Sequence, residues 1–150
     1  MKTGCFFLVY CCIALCSPAA IAGMDQLSAS ANLLLNKHGE TQLVVRVTVP
    51  AGHMLYADQF HVEVPGQVII RPLSLPPPRN KIDTITGDKK FVYDQSFSAT
   101  YLVKNLTNET LNVKVSYQGC DQNTCFLPTE KEFQIGLAGL PTFVVLKPNK

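Results

Sequence analysis

Charge is scarce in this sequence, and no stretch of it is strongly basic. Charged residues make up 16% of the chain, and no basic run exceeds the pair Lys89-Lys90. A nucleic-acid footprint needs a basic face, so no nucleic-acid partner is expected. Wholesale disorder is excluded too, because 47% of the residues are hydrophobic and low charge with high apolar content favours a packed core. Long apolar runs are also missing. Beyond the first residues the longest lies near Leu137–Leu146, well short of the ~20 residues that span a bilayer. His38, His53 and His61 are scattered, with no two-histidine spacing shared with a carboxylate, so no zinc or iron site is expected. The Gly-x-Ser-x-Gly elbow of hydrolases and the phosphate-cradling glycine loop are absent as well.

What is present begins with an export signal. Lys2 precedes an uncharged apolar run from Phe6 to Leu15, Ser17-Pro18 breaks the run, and Ala20-Ile21-Ala22 offers small residues where a signal peptidase reads. The pattern predicts a secretory signal peptide over residues 1–22, cleaved after Ala22. Lipidation is not expected, since Tyr10 and Leu15, rather than a small residue, precede Cys11 and Cys16. Removal of the signal leaves about 128 residues, near the mode for a single domain. That domain is expected over 23–136, with 137–150 as a tail or extra strand.

Periodicity in the remainder is that of strands. Leu43, Val45, Val47 and Val49 alternate with Gln42, Arg46 and Thr48, and Phe60 to Val64 repeats the pattern on a smaller scale. Phe91 to Val103 reads as one long strand, with Phe91, Tyr93, Phe97, Ala99, Tyr101 and Val103 on one face and Val92 and Leu102 as exceptions. Leu111, Val113, Val115 and Tyr117 alternate with Asn112, Lys114 and Ser116. A period of two sends each set to opposite faces of a half-buried strand. Leu27–Leu35 is compatible with a first strand or a short helix. Turn formers punctuate the runs at Asn36–Gly39, Pro50–Gly52, Pro65-Gly66, Pro76–Asn80, Gly87-Asp88 and Asn105–Asn108. Many short antiparallel strands with regular turns predict an all-β, immunoglobulin-like β-sandwich. Asn105-Leu106-Thr107 and Asn108-Glu109-Thr110 fit the glycosylation pattern, but a turn that needs Asn between two strands explains both.

Four of the six cysteines, Cys5, Cys11, Cys12 and Cys16, fall in the signal, which leaves Cys120 and Cys125 as a pair in an oxidising compartment. The four residues between them, Asp121-Gln122-Asn123-Thr124, are polar turn formers, so a hairpin-like loop can bring the sulfurs together. As a staple, so small a ring contributes roughly 2 kcal/mol. An exposed polar loop also suits a thiol that must meet another protein's disulfide, since exchange requires access. Spacing alone therefore leaves two readings: a structural disulfide in a binding or scaffold module, or a redox pair.

The neighbouring residues add a resemblance. Tyr117-Gln118-Gly119-Cys120, the short polar loop, then Cys125-Phe126-Leu127-Pro128 resemble the N-terminal periplasmic domain of the thiol:disulfide interchange protein DsbD. Upstream, Val49 to Gln59 is similar to the family's segment in which a glycine precedes an aromatic-Leu-Tyr strand, and Asp83-Thr84-Ile85-Thr86-Gly87 lies where the family carries its cap loop. The chain departs from the pattern at Met54 in place of an aromatic, at Ile85 and Thr86 in place of the cap-loop aromatics, at Leu127-Pro128 in place of a double proline, and in having one residue fewer between its cysteines than the best-known members.

The resemblance implies a protein-disulfide reductase component of the periplasm. It would receive electrons from a membrane-embedded donor domain on a separate chain and pass them to thioredoxin-like proteins such as a DsbC-type isomerase. It implies that Cys125 forms the mixed disulfide with the substrate and Cys120 is its internal partner, with Tyr56, Asp83, Ile85, Tyr117 and Phe126 supporting the site. No cofactor beyond the Cys120–Cys125 disulfide is implied, and a monomer is expected. Gly139 to Lys147 resembles the cis-proline segment of thioredoxin-like domains, but no Cys-x-x-Cys lies between Cys125 and this segment, so a working thioredoxin module is excluded.

Overall fold

The computed structural model describes residues 26–106 and 110–137. The expected signal peptide, the residues around the second glycosylation pattern and the Gly139–Lys147 segment lie outside the described residues. Within them the chain forms eleven strands and one short 3-10 turn at Ala57–Gln59. Among the described residues no helix is long and apolar enough to cross a membrane.

One sheet has the order β1 (Ser28–Leu35), β2 (Thr41–Thr48), β8 (Phe97–Lys104) and β5 (Ile69–Ser74). A second has β11 (Thr129–Gly136), β9 (Thr110–Tyr117) and β4 (His61–Glu63). All pairings are antiparallel, and Leu27–Leu35 resolves to a strand that runs the full length of β2. Alternation explains how the layers close. Leu43, Val45 and Val47 of β2, Ala99 and Val103 of β8, and Leu111, Val113, Val115 and Tyr117 of β9 belong to one buried cluster, completed by Leu55, Phe60 and Tyr93. This is the expected immunoglobulin-like sandwich. His61, between Phe60 and Val62, is exposed.

A third sheet, β10 (Gly119–Cys120), β3 (Met54–Tyr56), β7 (Lys89–Tyr93) and β6 (Arg79–Ile82), carries the cysteine pair. Its existence corrects one expectation. Phe91–Val103 is not a single strand: β7 ends at Tyr93, β8 begins at Phe97, and the two lie in different sheets. The reason lies in the break between them. Ser96 exchanges hydrogen bonds with the Val49 backbone, its hydroxyl accepting from the N–H at 3.0 Å, and Asp94 turns aside to Lys81 at 2.7 Å. Phe91 is therefore 61% exposed, whereas Val92, the apparent exception to the alternation, is fully buried. The last two residues of β7 are covered on opposite faces, Tyr93 by the sandwich core and Val92 by the cysteine cluster.

Candidate functional site

The site is built where β3, β7 and β10 meet. Gly119 and Cys120 pair with Leu55 and Met54, and Leu55 and Tyr56 pair with Tyr93 and Val92. The first of these contacts needs glycine. A β-carbon on Gly119 would stand 2.1 Å from the Met54 carbonyl oxygen and 2.6 Å from Leu27, closer than any side chain tolerates. The connection is pinned from both ends: the Tyr56 N–H donates to the Gln118 carbonyl at 2.9 Å, and the Phe126 N–H to the Gly119 carbonyl at 2.8 Å.

Beyond Cys120 the chain reverses tightly. The Asp121 carboxylate accepts the N–H groups of Asn123 and Thr124, both at 2.7 Å, and its own N–H donates to the Thr124 carbonyl. An aspartate at the start of a turn satisfies its backbone in this way. The reversal brings Cys125 opposite Cys120, with both thiols free and their sulfurs 2.8 Å apart. The two are unequal. Cys120 is fully buried in a cluster with Met54, Tyr56 and Val92, while Cys125 is exposed. The loop is thus open at one sulfur only, which sharpens the expectation of an exposed polar loop.

A second loop closes on the first. Asp83 to Asp88 joins β6 to β7, held by the Asp83 N–H on the Asp88 carbonyl and the Gly87 N–H on the Asp83 carbonyl, both 2.8 Å. Gly87 has φ +77°, a left-handed conformation that glycine adopts without strain. The loop is at the surface except for its first residue: Asp83 is fully buried. One carboxylate oxygen accepts the N–H groups of Ile85 at 2.9 Å and Thr86 at 3.3 Å, and the other accepts the Tyr56 hydroxyl at 2.5 Å. The Thr84 hydroxyl donates to the Gln122 carbonyl at 3.4 Å, joining the two loops.

Tyr56 is the hub. Its oxygen contacts Cys120 Sγ and lies 3.4 Å from Cys125 Sγ, and the Lys90 ammonium sits 5.8 Å from its ring centroid. The direction of the hydrogen bonds follows from Asp83. The Tyr56 hydroxyl and the backbone N–H groups hold this carboxyl below the usual carboxylate range despite burial, so it is an acceptor only. The single phenol proton is committed to Asp83, and the phenol oxygen is left to accept from a thiol. Burial first, and the bond to Asp83 second, keep the phenol itself protonated. Burial, followed by the hydrogen bond with Cys125, pushes the Cys120 thiol up to about 12, so at neutral pH it keeps its proton.

Of the remaining residues singled out in the sequence, Phe126 lies beside the pair, stacked on His53 with centroids 5.6 Å apart. Ile85 is 44% exposed, held at its backbone by Asp83. Tyr117 is not brought to the cysteines: it is buried in the sandwich core, its hydroxyl donating to the Leu27 carbonyl at 3.4 Å. Its position immediately before the Gln118–Cys120 segment suggests a site residue, but alternation turns it to the other layer. The sequence motifs do not point to Met54, Val92 and Lys90 as site residues. For Val92 the signal is its apolar side chain on the expected wet face. Asp83, Cys120 and Cys125 also offer one carboxylate and two thiols whose ligand atoms lie within 4.8 Å of one another, the set that could hold a metal ion.

Residues 24–137 match the family model of the N-terminal domain of thiol:disulfide interchange protein DsbD. The chain belongs to this family. Among solved structures it is similar to the reduced N-terminal domain of DsbD from Neisseria meningitidis, with 19% identity and a TM-score of 0.51 over 71% of this chain and 82% of that one. It is also similar to a structure of the complex between the DsbD N-terminal and PilB N-terminal domains of the same organism, with 18% identity and a TM-score of 0.54 over 71% of this chain and 80% of that one. At such identities these likenesses speak for the fold. No curated protein sequence matches.

Proposed function

We propose that this chain is a thiol–disulfide exchange module, a protein-disulfide reductase component, in which Cys125 enters the mixed disulfide with a thioredoxin-like partner and Cys120 resolves it. The observation that carries the assignment is the inequality of the pair. A partner disulfide needs in-line access to the attacking sulfur, and Cys125 is the exposed one. Cys125 gives up its proton and, as thiolate, attacks one sulfur of the partner disulfide; a Cys125–partner bond forms and the partner's S–S bond breaks, its departing sulfur taking up a proton in place of the one released. Cys120, 2.8 Å away, then attacks Cys125 Sγ and expels the second partner sulfur, to which its own proton passes. Two electrons and two protons leave the module as its disulfide closes.

The high protonation range of Cys120 supports the order of these steps. A thiol held neutral by burial does not compete for the first attack. Membership of the family supports a periplasmic setting. In this proposal a membrane-embedded donor on a separate chain reduces the pair, and a DsbC-type isomerase is among the recipients. The Neisseria complex with a PilB domain supports a protein as the partner.

Equilibration of the pair in redox buffers, read by alkylation and mass spectrometry, tests this reading. An exchange-active pair has a reduction potential above about −300 mV; a potential below that value makes the disulfide structural and the module a scaffold.

A further inference from the structure

Three ligand atoms converge at the cysteine corner, yet something already stands among them. The Tyr56 hydroxyl lies 2.5 Å from Asp83 Oδ2, in contact with Cys120 Sγ and 3.4 Å from Cys125 Sγ. Two thiolates and a carboxylate are donors that Zn2+ takes, at about 2.3 Å to sulfur and about 2.0–2.2 Å to oxygen. The phenol oxygen therefore stands against two of the three atoms, Asp83 Oδ2 and Cys120 Sγ, and 3.4 Å from the third, filling space that a cation would need to reach all of them. It is held there firmly. Tyr56 is buried with Met54, Val92 and Cys120, and its backbone N–H is fixed to the Gln118 carbonyl. The Lys90 ammonium, 5.8 Å from its ring centroid, adds a positive charge beside the site, which disfavours a second cation.

We propose that the Tyr56 hydroxyl is a plug that keeps thiophilic divalent cations out of the ligand set formed by Asp83, Cys120 and Cys125. The inference rests on the reduced pair of the proposed exchange cycle but not on the identity of its partner. A metal-bound pair of thiolates would be withdrawn from attack on a disulfide, so a dithiol beside a buried carboxylate needs such protection. Tyrosine suits the task because its O–H donates to Asp83, satisfying the carboxylate where a cation otherwise would, without bringing a positive charge or an open coordination position.

The geometry supplies its own inversion. Histidine is shorter than tyrosine by roughly the length of a Zn–N bond, about 2 Å, so Tyr56→His withdraws the side chain from the plug position and aims a fourth ligand at it. The assay is competition for Zn2+ with a chromogenic chelator, without oxygen, in a full-length chain carrying Cys5→Ser, Cys11→Ser, Cys12→Ser and Cys16→Ser. The reference is a synthetic peptide spanning residues 118–127, which holds the same thiols without the fold. The folded, reduced wild type is expected to bind Zn2+ at least about tenfold more weakly than the peptide, although folding gathers the ligands. Tyr56→His is expected to bind roughly a hundredfold more tightly than wild type, with a sulfur-to-cobalt charge-transfer band when Co2+ replaces Zn2+, and to lose about tenfold of that gain on Asp83→Asn. Wild type binding Zn2+ as tightly as the peptide overturns the proposal whether or not the histidine variant folds. So does a histidine variant that folds and binds no better than wild type. Reaction of the same samples with hydroxyethyl disulfide reads exchange separately: a wild type that excludes Zn2+ but ignores this disulfide defeats the exchange reading and leaves the plug standing.

Discussion

In the sandwich, β2, β8 and β9 each run for eight residues and contribute aliphatic side chains to a shared interior. At the cysteine corner, β3 and β10 have three and two residues, and the interior is Met54, Tyr56, Val92 and Cys120 around a buried carboxylate. The sandwich is held by area removed from water, spread over many interchangeable contacts. The corner is held by single atoms in defined relation: a glycine without space for a methyl group, a carboxylate with three donors, a phenol between two sulfurs. Substitution should therefore cost stability in the first region and chemistry in the second.

The largest stability effect is expected in the sandwich. Leu43→Ala, fully buried on β2, should cost about 2–5 kcal/mol in denaturant unfolding and leave the reactivity of the surviving folded protein with a small disulfide unchanged. Altered reactivity would mean that the two regions are not separate. Gly119→Ala should cost about 1–3 kcal/mol by forcing β10 from β3, and, unlike the sandwich variant, should also change the reactivity of the pair.

Asp83→Asn removes a charged acceptor of three hydrogen bonds and should cost about 1–3 kcal/mol at neutral pH. The folded-state value of this group lies below the ordinary 3.8, so its contribution is present above that pH and lost as pH falls through the lower folded value. Acid unfolding of the variant should lack this component; an identical acid profile would contradict it. Cys120 has the opposite sign. Its value rises from 9.0 to about 12, so its contribution is complete below pH 9 and declines toward pH 12. The reduced wild type should lose stability over this window relative to reduced Cys120→Ser, and parallel curves would refute the burial argument.

The smallest effect belongs to Ile85. Partly exposed at the loop between β6 and β7, it should tolerate Ala with a loss of under about 1 kcal/mol. Alkylation of the reduced pair should nevertheless be fastest with Ala, slower with Ile and slowest with Phe at this position. Equal rates would show that the side chain does not shield the cysteines.

The same contrast explains what the sequence disclosed. Alternation in β2, β8 and β9 is a local property, so the sandwich and its buried faces were legible residue by residue. The corner depends on partners far apart in the chain: Tyr56 lies 27 positions from Asp83 and 64 from Cys120. No local period records such pairings, and Tyr56 and Asp83 stand out only through the family resemblance. Across the corner the alternation misleads. It makes Val92 an exception because a one-core pattern has no place for a second buried face, and it places Phe91 inward although the sandwich core reaches β7 only at Tyr93. Tyr117, adjacent to the segment that carries Cys120, belongs to the sandwich because a single residue step along a strand exchanges faces.

The division of labour between the two cysteines is tested most directly by trapping. Reduced Cys120→Ser and Cys125→Ser variants would each be mixed with an oxidised thioredoxin-like protein, quenched with acid and resolved on non-reducing gels. Loss of the resolving thiol should leave the mixed disulfide intact. The account predicts a covalent complex with Cys120→Ser and none with Cys125→Ser; a complex formed by Cys125→Ser alone, equal trapping by both or trapping by neither would contradict it.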